Sequence, residues 1–314
     1  MTVHRLDFLD LPTLARYRRS VLSFDSVSAL TLGKPLSASA LLSLLNPRYF
    51  VYTAVASENS DDLIGQVVLT AEETTAHLTF LAPGESSDGL TGQLLEHLAA
   101  QAGARFAFHL LAEVDDRAPA FRSLRQAGFA MYAWQRVWKL PEAKEMVAKS
   151  TWEPVRTTDW PAVQSLYGQI VPALLQPVEG LPKQAEGLIC RTGSGIQAYV
   201  RVSNGLTGIW IQPLIHPDSK CPPERLAGLL SVIGNIRRRP VYVCVRSYQA
   251  WLESVLEDMG AQPGPKQAVM VKRLASAIKE PQTVQAVEKV LAKAKPASPI
   301  AHSTEILVRG EKEV

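Results

Sequence analysis

Only three cysteines occur in the 314 residues, Cys190, Cys221 and Cys244, and no two stand at a CxxC spacing. That excludes a disulfide framework and leaves free thiols in a reducing compartment as the expectation. No segment approaches the roughly 20 consecutive apolar residues of a membrane span. The first residues, Met1–Phe8, carry no apolar run of the signal-peptide kind. A cytoplasmic protein with no membrane partner is expected. The formal net charge is only +3, too little to imply a nucleic-acid partner through bulk electrostatics. The six histidines show no metal-ligand spacing, and there is no P-loop or Ser-His-Asp signature. What is present is an ordinary globular composition, 46% apolar and 20% charged, at a length that suits two domains.

The chemistry concentrates between Thr75 and Gly128. A strand-like alternation over Ala76–Ala82 breaks into the small-residue loop Gly84–Gly89. Leu90, Leu94, Leu95, Leu98 and Ala102 then recur at helical spacing, with Ser87 or Asp88 as the N-cap. A second strand over Arg105–Val114 and a helix over Ala118–Gln126, stopping at Gly128, complete a strand–loop–helix–strand–helix unit. The first-turn N–H groups of such a helix, next to a glycine, are suited to an anion.

This unit, with Glu113-Val114 on its second strand and Leu124-Arg125-Gln126-Ala127-Gly128-Phe129 at its end, resembles the GCN5-related N-acetyltransferase (GNAT) family. The family's loop, Arg/Gln-x-x-Gly-x-Gly/Ala, holds the pyrophosphate of acetyl-CoA. The matching residues are Ser86-Ser87-Asp88-Gly89-Leu90-Thr91, of which Gly89 fits the pattern, while Ser86 and Thr91 depart from it and Asp88 adds a negative charge. The resemblance implies acetyl-CoA or another acyl-CoA as co-substrate, with Ser87, Gly89, Leu90 and Thr91 at the phosphates and Phe80, Leu81 and Ala82 along the pantetheine. It also implies an amine acceptor, small molecule or peptide, of unknown identity. Glu113 is the candidate base; its other reading is a paired or solvated carboxylate. His77 and His109 read as structural. The family's thiolate-protonating Tyr falls on Leu124, which has no proton to give.

The same order of elements occurs twice. Asp10-Leu11-Pro12 opens a helix after a first strand at Val3–Phe8, and Asp159-Trp160-Pro161 repeats that opening. In the first copy Ser23–Pro35 reads as loop, followed by a short helix over Ser39–Leu45 and strands at Tyr49–Ala56, Leu63–Ala71 and Ala76–Ala82; Phe129–Leu140 is its closing strand. In the second copy strands are expected at Gly187–Arg191, Ile196–Val202 and Gly208–Ile215, with a hairpin turn at Asn204-Gly205. A helix over Glu224–Ile236, a strand at Val241–Arg246, a helix over Gln249–Met259 and a last strand at Gln267–Leu274 complete it. The expectation is an α/β fold of two tandem GNAT-like domains, each a mostly antiparallel sheet flanked by helices. They are assigned to 1–140 and 151–275, with a linker at 141–150 and a charged tail at 276–314 that is either an amphipathic helix or a frayed terminus.

The second copy carries His216-Pro217-Asp218 where the family leads into its phosphate loop, but then Lys220-Cys221-Pro222-Pro223-Glu224-Arg225. Two prolines remove two N–H donors, so no CoA site of the family type is expected there. Leu256 stands at its Tyr position. Arg237-Arg238-Arg239 reads as a solvated basic cap at a helix end. Two functions remain open: an N-acyltransferase working at the first domain, the second either shaping the acceptor site or serving as a structural partner, or a catalytically inactive GNAT-fold binding or scaffolding protein. A homodimer is compatible with either.

Overall fold

The computed structural model describes residues 2–43, 46–59, 61–71, 73–84, 88–141, 151–182, 185–192, 195–219, 226, 228–230, 232–233 and 239–274. The expected linker beyond residue 141, the second-copy loop at 220–225, Arg237, Arg238, Ser86, Ser87 and the tail lie outside the described residues.

The first half runs β1 Thr2–Arg5, α1 Leu11–Tyr17, β2 Leu22–Ser23, α2 Ser26–Thr31, α3 Ala38–Ser43, β3 Tyr49–Glu58, β4 Asp61–Thr70, β5 Thr75–Ala82, α4 Asp88–Gly103, β6 His109–Asp115, α5 Pro119–Gln126 and β7 Ala130–Lys139. The second runs β8 Trp152–Pro154, α6 Trp160–Ile170, β9 Leu188–Thr192, β10 Gly195–Asn204, β11 Ile209–Ile215, β12 Val241–Arg246, α7 Leu252–Asp258 and β13 Gln262–Arg273. The two halves share one local detail. Each first helix follows a 3-10 turn whose last residue, Asp10 or Asp159, reaches back to accept the N–H three residues earlier, Asp7 at 2.9 Å and Arg156 at 3.0 Å. Asp10 stands at the N-cap position of α1, but its carboxylate serves the turn before the helix and not the helix's own first N–H groups.

All strands join one sheet in the order β1-β3-β4-β5-β6-β13-β7-β12-β11-β10-β9-β8, with β2 added beside β5. The last strand of the second copy therefore lies in the first half, antiparallel to both β6 and β7. β7 in turn pairs with β12, so the closing strand of each copy is shared across the seam. Leu90, Leu94, Leu95 and Leu98 of α4 pack against strands that include Met270 of β13, all of them buried. Helix α7 and Leu226 and Leu229 cover the second half's strands around Val200, Ile211 and Val243.

Several sequence expectations shift: the first strand ends at Arg5 and not Phe8, which opens a 3-10 turn, and the last strand begins at Gln262 and not Gln267. The β6 strand starts at His109 and not Arg105, because Phe106 has φ +66° and carries the turn out of α4. Ser23–Pro35, expected as loop, contains part of β2 and all of α2. Helix α2 is capped by Asp25, whose carboxylate accepts Ser28 N–H at 3.1 Å.

Each half contains one parallel pair, and both pairs separate after three partners: Thr75–His77 with His109–Leu111, and Ile209–Ile211 with Val241–Val243. In the first half a bulge in the β4–β5 pairing lies just past the point of separation. Thr79 is the extra residue between the Gln66–Phe80 and Val67–Leu78 partners, and its hydroxyl donates to Gln66 O at 3.1 Å or Oε1 at 2.9 Å.

Because the strands are shared, the halves should unfold together. Met270→Ala, which empties a fully buried site on β13, should cost about 2–5 kcal/mol. Hydrogen exchange in the β3–β4 and β10–β11 ladders should rise together; loosening of one half alone would contradict the shared sheet.

Candidate functional site

The gap between β5 and β6 is where the family resemblance places pantetheine, along Phe80, Leu81 and Ala82. Here that edge is taken by the chain itself. Leu22 pairs with Leu81 and Ser23 with Phe80. Phe24 bridges the gap: its N–H donates to Thr79 O at 2.9 Å and its carbonyl accepts Glu113 N–H at 2.8 Å. Gly84 N–H donates to Ser20 O at 2.7 Å, closing the upper end. The Phe24 ring is 1% exposed within the first core. The second gap, between β11 and β12, is also filled from within: the buried Gln249 amide donates to Pro213 O at 2.8 Å and accepts Ile215 N–H at 3.0 Å.

The other positions implied by the resemblance divide. Gly89, in the first turn of α4, is exposed, and a Cβ added there would meet nothing within 4 Å. Leu90 and Thr91 point into the protein and are buried. The Asp88 carboxylate accepts the Ser123 hydroxyl at 2.7 Å, tying the start of α4 to α5. Leu124 and Leu256 are buried core residues, so neither copy has an ionisable group at the family's acid position.

Glu113 sits at the gap and is paired. Its Oε2 accepts Ser26 N–H at 2.9 Å, and its Oε1 lies 4.0 Å from Arg246. Arg246 is the cation of a buried cluster drawn from both halves. Its Nε is 2.8 Å from Glu179 Oε1, and it donates to the Gln135 side-chain carbonyl. Tyr248 donates to Glu179 Oε2 at 2.5 Å. The amides continue across the seam: Gln135 donates to Gln267 Oε1 at 2.9 Å, which also accepts the Ser26 hydroxyl at 3.2 Å. Burial opposes the charge on Arg246, but Glu179 and then its other neighbours hold its pKa well above the ordinary value. Burial, with Glu179 adding to it, raises Tyr132 and Tyr248 above the ordinary phenol range, Arg246 partly offsetting this. Burial also pushes Cys244 up to about 12.

This cluster faces a cavity of about 430 Å³ between the halves, lined among others by Asp25, Ser28, Gln66, His77, Glu113, Tyr132, Glu179 and Arg246. The Tyr132 hydroxyl is buried there without a well-aligned hydrogen-bond partner. His77 belongs to this lining, whereas His109 lies at the far end of β6, its pKa lowered by burial and then by Arg273. Arg246 and Glu179 escaped the sequence reading. Arg246 was only the end of an apolar strand, and a charge in that place was the one available signal. Among the described residues no cluster of His, Cys, Asp and Glu fits a metal ion, and no helix is long and apolar enough to cross a membrane.

Removing the central cation should be costly. Arg246→Met leaves the buried carboxylates of Glu113 and Glu179 without their counter-charge, a loss of about 3–5 kcal/mol in urea unfolding, and Glu179→Leu added to it should recover part of that. At high pH the tyrosines give the sign. Their folded pKa values lie above the unfolded value of about 10, so the stability they contribute is complete below that pH and is lost as pH rises past it. Tyrosinate absorbance from Tyr132 and Tyr248 should appear only with unfolding.

No protein-family model matches the chain, and no curated protein matches it. Solved structures do. A GCN5-related N-acetyltransferase from Sphaerobacter thermophilus aligns over 89% of this chain and 97% of its own, at 14% identity and a TM-score of 0.53. A candidate acetyltransferase from Pyrococcus horikoshii aligns over 88% of this chain and 90% of its own, at 10% identity and a TM-score of 0.50. At these identities the likeness is one of architecture. The chain has the fold of the GCN5-related N-acetyltransferases.

Proposed function

We propose that this is a GNAT-fold binding protein that holds a compact, cationic ligand in the cavity between its halves and does not transfer acyl groups as folded here. The observation that carries this is the occupied edge of β5. Pantetheine would have to make the backbone bonds that Leu22–Phe24 already make, and would have to expel a fully buried Phe24 to do so. Burying a phenylalanine side chain is worth about 1.5–3 kcal/mol, before the hydrogen bonds are counted. The missing acid at Leu124 and Leu256 points the same way.

The lining sets the charge of the ligand. Asp25, Glu113 and Glu179 face the cavity against Arg246, while Glu73 and Arg201, also in the lining, offset one another. The enclosed balance is negative, which favours a cation. Tyr132, whose hydroxyl stays neutral at ordinary pH, is available to hydrogen-bond the ligand.

A second reading has one observation in its favour, the free space around Gly89. There the protein transfers an acyl group from acetyl-CoA or another acyl-CoA to an amine, with Glu113 as base, once Leu22–Phe24 has left the groove. Calorimetry separates the two. The binding reading predicts no heat with acetyl-CoA up to roughly millimolar. It predicts saturable binding of members of a small-amine panel, weakened about tenfold by Glu113→Gln. Micromolar acetyl-CoA binding that Gly89→Pro abolishes would establish the second reading in its place.

A further inference from the structure

We propose that residues 20–32 form a strap that keeps the first half's groove shut, and that the second half is its latch. This goes beyond the binding reading, because it gives the second half a task whatever the cavity holds. Within the first half the strap is held by the Leu22–Leu81 and Ser23–Phe80 pairing, by the two backbone bonds of Phe24, and by Ser26 N–H on Glu113. A helix of six residues such as α2 satisfies few of its own backbone groups, so most of its N–H and C=O groups must find partners elsewhere. At its N-terminus these are Asp25 and Glu113. At its C-terminus the Leu32 carbonyl accepts the Ser39 hydroxyl of the first half, and the carbonyls of Leu30 and Thr31 find their partner in the second half. Thr207, in the β10–β11 turn, donates its N–H to Thr31 O at 2.9 Å and its hydroxyl to Leu30 O at 3.1 Å.

The turn is shaped for this contact. A Cβ on Gly205 would lie 2.0 Å from Thr31 O, and one on Gly208 would lie 2.5 Å from Leu30 O. Both glycines thus permit a backbone-to-backbone approach that no side chain would. Arg239 donates to Gly205 O at 2.5 Å and steadies the turn from the strand side. The strap also lines the cavity through Ser23, Asp25 and Ser28, so the latch, the closed groove and the ligand cavity meet on one short segment.

Three amides report the strap directly: Phe24, Gly84 and Glu113, each bonded to or from it. In the full chain, Gly205→Ala forces the turn away from Thr31. Exchange at these amides should then rise at least tenfold, while α4 and the β3–β4 ladder keep their rates. A second variant guards against general damage. Leu22 and Leu81 are direct antiparallel partners, about 4.5–5.5 Å apart at Cα, a spacing a disulfide spans. Adding Leu22→Cys and Leu81→Cys to Gly205→Ala and oxidising the pair should restore slow exchange, and reduction should abolish it again. The proposal is overturned if the three amides stay as protected in Gly205→Ala as in the parent chain. It is equally overturned if β3–β4 loosens along with them, or if the crosslink restores nothing.

Discussion

Everything distinctive about this molecule depends on how the chain treats the gap where β5 and β6 part. A sheet that splays leaves unpaired N–H and C=O groups on its inner edges, and buried groups of that kind must be satisfied. In a cofactor-binding protein a ligand can meet part of that need. Here Phe24 meets it, with one bond to each side of the gap and its ring in the core. The second gap meets it with the Gln249 side chain. Both are solutions from within the chain, a short strand in one half and a side-chain amide in the other.

From this follows the form of the site. With the gap filled, Glu113 is no longer an open carboxylate at a strand end. It accepts Ser26 N–H and lies near Arg246. Arg246 in turn requires Glu179 from the second half, and Gln135 and Gln267 carry the hydrogen bonding back to the strap. The polar seam and the exchange of β7 and β13 across it make the two halves one structure. The cavity they enclose belongs to neither alone.

Much of this architecture was legible in the sequence. The alternation of β5, the apolar runs of β3, β4 and β12, the leucine spacing of α4 and the repeated Asp-x-Pro opening marked the order of elements, because those signals are local in sequence. The place of β13 was not legible, since the apolar run Ala268–Val271 is the same whichever strands it pairs with. Nor was the strap. Its Ser, Val and Thr residues are weak helix formers, and α2 exists because Glu113 and Thr207, far away in sequence, complete its ends. Glu113 could be named from residue type and position, but its partners Ser26 and Arg246 come from elsewhere in the fold.

The central claim, that the chain itself fills the groove, is open to direct measurement by NMR. Scalar couplings across hydrogen bonds would be recorded from Phe24 N–H to the Thr79 carbonyl and from Glu113 N–H to the Phe24 carbonyl, without and with millimolar acetyl-CoA. Both couplings are predicted to be present and to persist with the ligand, and the Leu81 amide is predicted not to shift. Their disappearance on adding acetyl-CoA, together with a shift at Leu81, would show that the groove opens to the cofactor and would contradict the account.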